Sequence, residues 1–114
     1  MRLQFVEKYV QAVPQQPGIF ILWDHSHPVY IGRTAPRSDL RAELDHALTM
    51  AMAEDLSVTH FSFEVTPAPK TRAAEELRSH FERWGSLPRY NEGVSYEGGV
   101  LRAGGPAGVR AARR

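Results

Sequence analysis

The stretch "PGIFILWDHSHPVYIGRT", residues 17–34, decides the fold of this chain. It contains two runs rich in β-branched and aromatic residues, 19–23 and 29–33, and such runs predict strands. The segment DHSHP between them is rich in turn-forming residues, so the two strands are predicted to form an antiparallel hairpin. Each strand also carries a glycine close to an aromatic residue. A glycine lets a bulky group approach the backbone because it has no Cβ.

The segments around the hairpin predict three helices and one more strand. Apolar residues recur at helical spacing over 3–13, over 38–54 after Ser38 or Asp39 as N-cap, and over 71–84 before Gly85. Residues 57–66 alternate between an apolar and a polar face, which is typical of a half-buried strand. The pattern predicts an α/β fold of the α+β type, a three-stranded antiparallel sheet flanked by helices. The apolar strand face includes Phe61, Phe63 and Val65, and the last helical stripe is Ala73, Leu77, Phe81 and Trp84.

Length and composition indicate one soluble globular domain. The chain has 114 residues, of which 42% are hydrophobic and 24% charged. No apolar run reaches the roughly 18 residues of a membrane span, and the start has no secretory signal pattern, so we expect a cytoplasmic protein without a membrane partner. The absence of cysteine excludes disulfides, a thiol nucleophile and cysteine-bound zinc.

Charge and composition divide the chain into a domain, residues 1–91, and a C-terminal tail, residues 92–114. The domain has ten Lys/Arg and eleven Asp/Glu, and the tail has four Arg and two Glu. Because the tail is rich in glycine and alanine and lacks apolar periodicity, it is predicted to be flexible. A basic arm that contacts phosphate groups is the alternative.

Three motifs, in this order, resemble the GIY-YIG nuclease superfamily. "GIF" at 18–20 matches the first triplet, "YIG" at 30–32 follows ten residues after Phe20, and "LPRYN" at 87–91 resembles the segment that closes the family's domain. The resemblance covers residues 14–91. It implies a GIY-YIG-like fold, hydrolysis of phosphodiester bonds in DNA, and a Mg²⁺ or Mn²⁺ cofactor.

The resemblance assigns the hairpin residues to a catalytic cleft. In the family, two tyrosine hydroxyls orient or deprotonate the water that attacks phosphorus; here Tyr30 keeps its hydroxyl and Phe20 has none. Gly18 and Gly32 would support the close approach of a backbone or a phosphate. Arg33 would neutralise charge that develops on the phosphate. The alternatives are an ordinary surface aromatic for Tyr30 and a solvated strand-end charge for Arg33.

The two later helices would supply an arginine and the metal ligand. The family's arginine position corresponds to Glu43, so Arg41 is the nearest substitute, although two helical residues are separated by about 200°. Glu76 flanks the apolar stripe whereas Glu75 faces solvent, so Glu76 is the predicted metal ligand, with water and substrate phosphate completing the shell. Solvated helix-surface charges are the alternative for both Arg41 and Glu76.

Asn91 and the histidines are secondary candidates. By the resemblance, Asn91 supports the hairpin by packing or hydrogen bonding, and a turn asparagine is the alternative. His25 and His27 lie in the predicted turn without a third ligand nearby, which favours a solvated turn over a metal site. His46 and His80 lie on predicted helices facing the cleft and are candidates to carry protons.

Three classes of function follow. The first is a metal-dependent endonuclease acting on DNA. The second is a catalytically degenerate module of the same fold that binds nucleic acid or a protein partner, since Phe20 and Glu43 each lack a group expected in the active form. The third is an unrelated α/β domain, which a wide separation of Tyr30 and Glu76 would support. With one domain, specificity is expected to come from a partner chain.

Overall fold

The computed structural model describes residues 1–91 of the chain. Its elements are strand β1 (Leu3–Gln4), helix α1 (Glu7–Val10), strands β2 (Gly18–Asp24) and β3 (His27–Arg33), helix α2 (Leu40–Ala53), strand β4 (His60–Val65), helix α3 (Pro69–Trp84) and a 3₁₀ turn (Arg89–Asn91). The tail predicted to be flexible, residues 92–114, lies outside the described residues. None of the helices within residues 1–91 has the length and apolar character needed to cross a membrane.

The fold is α+β, with one antiparallel sheet in the strand order β1-β4-β2-β3. The antiparallel pairing of β2 with β3, and of β4 with β2, confirms the predicted hairpin and its third strand. The hairpin turn is tighter than predicted, because Asp24 pairs with His27. His25 has a φ of 58°, the positive value that the first residue of such a two-residue turn often needs.

The N-terminus differs from the single helix predicted over residues 3–13. Strand β1 pairs with His60 and Phe61 at the outer edge of β4, so the sheet has four strands rather than three. Only the four residues of α1 are helical. A short isolated helix is marginal in water, whereas pairing along a sheet edge satisfies backbone groups. The apolar residues that predicted one helix still belong to the core. Val10 enters it from α1, and Phe5 and Val13 enter it from the irregular segments on either side of α1.

Side chains on the sheet alternate between two faces, each covered by one long helix. Residues that oppose each other across antiparallel strands share a face. Phe20 opposes Gly32 and Leu22 opposes Tyr30; this side packs against α2 and is called the α2 face. The alternate residues face the opposite way and contact α3, and this side is called the α3 face. Its paired residues are Ile19 with Arg33 and Ile21 with Ile31.

The helix ends follow recognisable signals. Asp39, rather than Ser38, caps α2, because its Oδ1 accepts a hydrogen bond of 2.9 Å from the backbone N–H of Ala42. Helix α3 begins at Pro69, earlier than predicted, where the fixed φ of proline suits a first helical turn. It ends, as predicted, before Gly85, which has a φ of 78°.

Two predicted apolar faces are only partly buried. In α3, Ala73 and Leu77 are buried, but Phe81 and Trp84 are 55% and 49% exposed. The reason is position: the Trp84 ring lies beside His27, at the hairpin turn where the sheet ends.

On β4, Phe61 is fully buried, whereas Phe63 and Val65 are 36% and 48% exposed. Strand β1 pairs only with the first two residues of β4, so the later part of this strand is less covered within residues 1–91.

Candidate functional site

Gly32 makes room for the two aromatic rings of the hairpin. A Cβ at position 32 would overlap Cζ of Phe20 and lie 2.8 Å from Cε2 of Tyr30. The two ring centroids are 6.0 Å apart. Both rings therefore lie on the α2 face above Gly32. The glycine beside the aromatic on β3 thus has a packing explanation, since Gly32 accommodates the Phe20 ring of β2 and the Tyr30 ring of its own strand.

Gly18 makes room for backbone rather than for a ring. A Cβ at position 18 would overlap the carbonyl oxygen of Glu64 and lie 2.8 Å from Cδ1 of Leu40. The Gly18 N–H also donates to Oγ1 of Thr34 at 3.1 Å, and its carbonyl accepts from the Thr34 N–H at 3.0 Å. The close approach expected at this glycine is therefore made by the protein itself.

Both polar atoms of the Asn91 side-chain amide are hydrogen-bonded to the hairpin. Its Oδ1 accepts from the Ile31 N–H at 2.8 Å, and its Nδ2 donates to the Ile31 carbonyl at 3.0 Å. The side chain is buried. Because β3 lies at an edge of the sheet, the amide takes the place that a neighbouring strand would fill. Asn91 thus lies where the resemblance expects a supporting residue.

Glu76 belongs to an ion-pair cluster centred on Arg72. The Arg72 guanidinium donates to Oε2 of Glu76 at 2.9 Å, to Oε1 of Glu75 at 2.7 Å, and to both carboxylate oxygens of Glu64 at 2.9 Å each. One cation therefore binds three carboxylates and joins α3 to β4. The hydrogen bonds from Arg72 hold the pKa of Glu64 below its ordinary value, and those to Glu64 chiefly raise the pKa of Arg72.

Arg72→Met is expected to lower stability at neutral pH and to change its pH dependence. The folded-state pKa of Glu64 is depressed, so its contribution is present above the unfolded value of about 4.3 and is lost as pH falls through the folded value. Without Arg72, the three carboxylates repel one another at neutral pH, and protonation removes that repulsion. The stability difference from wild type, measured by urea unfolding, should therefore shrink towards acid pH.

Lys70→Met is the matched control for this prediction, because it removes an exposed cation from the same helix. Its stability difference from wild type should stay small and nearly constant over the same pH range. A difference for Arg72→Met that does not change with pH would show that the cluster contributes nothing to the titration.

A divalent metal at Glu76 would compete with Arg72. Magnesium is bound through carboxylate oxygens and water. Oε2 of Glu76 already accepts from a guanidinium, and that positive charge repels a second cation. No group of three or more His, Asp or Glu side chains within residues 1–91 is placed to hold an ion. This arrangement does not fit the Mg²⁺ or Mn²⁺ that the resemblance implies.

Arg33 and Glu76 are brought to the same face of the sheet. Arg33 opposes Ile19 on the α3 face, and Ile19 and Glu76 both line a cavity of about 240 Å³, whose lining also includes Phe20 and Phe63 of the α2 face. Ser62 also lines the cavity, and its Oγ accepts a hydrogen bond from Nε1 of Trp23 at 3.0 Å. The guanidinium of Arg33 donates to the carbonyl of the next residue at 3.1 Å. A cation and a carboxylate thus share this face.

Tyr30 lies on the opposite face from Glu76. Tyr30 opposes Leu22 and packs against the core cluster under α2. Leu77, the neighbour of Glu76, packs instead against Ile31, the residue after Tyr30. Successive strand residues point to opposite faces, so the sheet itself separates the two groups. The register of β2 and β3 therefore does not bring together the hydroxyl and the carboxylate that we expected at one cleft.

Both candidate charges on α2 bind the backbone of other segments. Oε2 of Glu43 accepts from the Ala35 N–H at 3.0 Å, which holds the loop after β3. Nε of Arg41 donates to the Val13 carbonyl at 2.8 Å, which holds the segment between α1 and β2. The position predicted for a phosphate-binding arginine is thus occupied by an acid with a structural contact, and its nearest substitute also has one.

No protein-family model, curated protein or solved structure was found to match the chain. The functional argument therefore depends on these residues and their geometry.

Arg72 is the main site residue that sequence reasoning missed. Its spacing to Glu75 and Glu76, three and four residues, places all three side chains on neighbouring positions of one helix. That signal was available in the sequence. The two hydrogen bonds from Arg72 to Glu64 could not be predicted from the sequence, because they depend on how α3 crosses β4.

The histidines are distributed over separate environments. His25 pairs with Asp24 in the exposed turn, through Nδ1 and Oδ1 at 2.9 Å. His46 is exposed on α2. His80 is buried, with Nδ1 at 2.7 Å from the Ser86 carbonyl, which requires Nδ1 to be the donor. Its Nε2 is buried without a hydrogen-bond partner among the described residues.

Proposed function

We propose that the chain is a GIY-YIG-like domain that binds nucleic acid without cleaving it. The observation that carries the absence of cleavage is the separation of Tyr30 from Glu76 by the sheet, an arrangement that equally fits the unrelated α/β domain; the family resemblance rests on the motifs and on Asn91. Hydrolysis of a phosphodiester requires the group that activates water and the group that holds the phosphate to act on one bond, at hydrogen-bond distances. Groups on opposite faces of a sheet do not meet that requirement.

Three other positions support the absence of cleavage. Phe20 carries no hydroxyl, and its ring fills the space above Gly32. Glu43 replaces a cation with an anion and holds the backbone of Ala35. Arg41 is hydrogen-bonded to the Val13 carbonyl, in the segment between α1 and β2. The order of the three motifs, and the hydrogen bonds from Asn91 to Ile31, support the family resemblance itself.

A metal-dependent endonuclease acting on DNA is the second candidate. The observation that favours it is the shared face of Arg33 and Glu76, beside an open cavity. Arginine binds phosphate through charge-assisted, often bidentate hydrogen bonds, and a carboxylate is the ligand that a divalent metal would need. This function requires Glu76 to exchange Arg72 for another partner, and a proton acceptor other than Tyr30 on the α3 face.

The proposal is tested by binding and integrity measurements on the same samples. Fluorescein-labelled single-stranded and duplex DNA are titrated with the protein in buffer containing Mg²⁺, and the anisotropy is recorded. The strands are then run on a denaturing gel. We expect saturable binding that weakens as salt is raised, with the labelled strand intact. A failure to bind either DNA would overturn the proposal; cleavage lost in Glu76→Gln would establish the second candidate.

A further inference from the structure

We propose that single-stranded nucleic acid binds at the outer end of α3, where exposed bases stack on an aromatic patch formed by Phe81, Trp84 and His27. The inference rests on the proposed function in one respect, that the chain binds nucleic acid. It assigns that binding to a surface away from the cavity beside Glu76.

The three side chains of the aromatic patch are exposed. Phe81 and Trp84 are 55% and 49% exposed, and their spacing of three residues makes them neighbours on the helix surface. The His27 ring meets the Trp84 ring edge to face, with centroids 5.1 Å apart and planes at 78°. Gly85 adopts the left-handed conformation directly after Trp84, so α3 ends there. Large exposed rings in such a group mark an interaction site.

Two arginines lie on the same end of α3 as this patch. The Arg83 guanidinium lies 5.6 Å from the centre of the Trp84 ring, and Arg78 precedes Phe81 by three residues. Residues 78–89 contain three Arg and one Glu, whereas the other residues of 1–91 contain seven Lys/Arg and ten Asp/Glu. The described part of the chain is therefore acidic outside this segment and basic within it. Aromatic rings beside arginines complement stacked bases and their phosphates.

The charge distribution favours nucleic acid over a protein partner at this surface. Phe63 and Val65 form another exposed apolar pair, on β4, and the residue between them is an acid bound to Arg72. The sequence around that pair has no excess of positive charge comparable with that of residues 78–89. Single strands are the preferred form because duplex bases have no free faces to stack on the rings.

The direct test uses tryptophan fluorescence in a Trp23→Phe background. The chain has two tryptophans, so this variant reports Trp84 alone. Titration with an oligothymidine is expected to quench the emission saturably, and the matched duplex is expected to quench it less at equal concentration. Equal quenching by duplex and single strand would overturn the preference for single strands. Unchanged Trp84 emission while anisotropy shows binding would place the nucleic acid elsewhere.

Single substitutions in the otherwise wild-type chain show which residues contribute to oligothymidine binding. Trp84→Ala and Phe81→Ala should each weaken oligothymidine binding by about tenfold, since stacking contributes about 1–3 kcal/mol per base. Arg83→Gln should weaken it less and reduce the slope of log affinity against log salt by about one phosphate contact. Phe63→Ala is the matched control, an exposed phenylalanine on β4 for which no change is expected.

The outcomes separate this inference from the proposed function. If the wild-type chain binds oligothymidine and both Trp84→Ala and Phe81→Ala bind equally well, the inference is wrong and the proposed function stands. If the wild-type chain binds no nucleic acid at all, both are wrong. A loss of binding in Phe63→Ala as large as in Trp84→Ala would also contradict the assignment to α3.

Discussion

Asn91→Leu is expected to lower the free energy of unfolding by about 3 kcal/mol. Leucine has a similar size, but it removes both hydrogen bonds to Ile31 and leaves a backbone N–H and a carbonyl without those partners. Asn91 is 1% exposed, so water does not readily replace the amide. A loss of this size is a large fraction of the roughly 5–15 kcal/mol that stabilises a small domain. Urea unfolding followed by circular dichroism measures it.

Arg89→Ala is the control in the same 3₁₀ turn. Arg89 is exposed, and its guanidinium lies 5.7 Å from the centre of the adjacent Tyr90 ring, so the substitution should change stability by about 0.5 kcal/mol or less. If Asn91→Leu is as stable as Arg89→Ala, the amide does not hold the edge of the sheet as described.

Gly18→Ala is expected to cost about 3 kcal/mol or to prevent folding, because the added Cβ overlaps the backbone carbonyl of Glu64. A carbonyl within the pairing of β2 with β4 cannot move without disturbing that pairing. Thermal and urea unfolding, or the loss of soluble protein, report the effect. Gly85→Ala is the comparison, since Gly85 has no neighbour within 4 Å of an added Cβ and only its φ of 78° opposes alanine. Its cost should be about 1 kcal/mol. Equal costs at the two positions would contradict the packing account.

Gly32→Ala differs from Gly18→Ala in a way that a second substitution reveals. The atoms that an added Cβ would meet at position 32 belong to the Phe20 and Tyr30 rings. Shrinking the Phe20 side chain should therefore recover part of the stability lost in Gly32→Ala. No smaller side chain at position 40 should rescue Gly18→Ala, because the backbone overlap with Glu64 remains.

Local signals in the sequence predicted most of the elements. The turn cluster and β-branched runs gave the hairpin, Asp39 was one of two predicted caps of α2, and Gly85 ends α3 as expected. These features depend on residues a few positions apart, where propensity and capping act. The N-terminal strand was missed because β1 forms by pairing with residues almost sixty positions away, while its apolar spacing also fits a helix.

The candidate site was less predictable than the fold. Sequence spacing identified Tyr30 and Glu76 as residues of suitable chemistry, but their faces depend on strand register and on which side α3 packs. A shift of one residue in a strand exchanges the two faces. Likewise, the burial of His80 in place of Phe81 and Trp84 depends on where the sheet ends beneath α3.

We propose that the separation of Tyr30 from Glu76 by the sheet, rather than the identity of residues 20 and 43, is what prevents cleavage. The most direct measurement is single-turnover cleavage of labelled DNA, with protein in excess and Mn²⁺ present, by the wild-type chain and by the double variant Phe20→Tyr, Glu43→Arg. The double variant is first checked by circular dichroism, because Glu43 holds the Ala35 backbone. We predict that both proteins bind DNA and that neither cleaves it. Metal-dependent cleavage by either protein, lost when Glu76→Gln is added, would contradict the account.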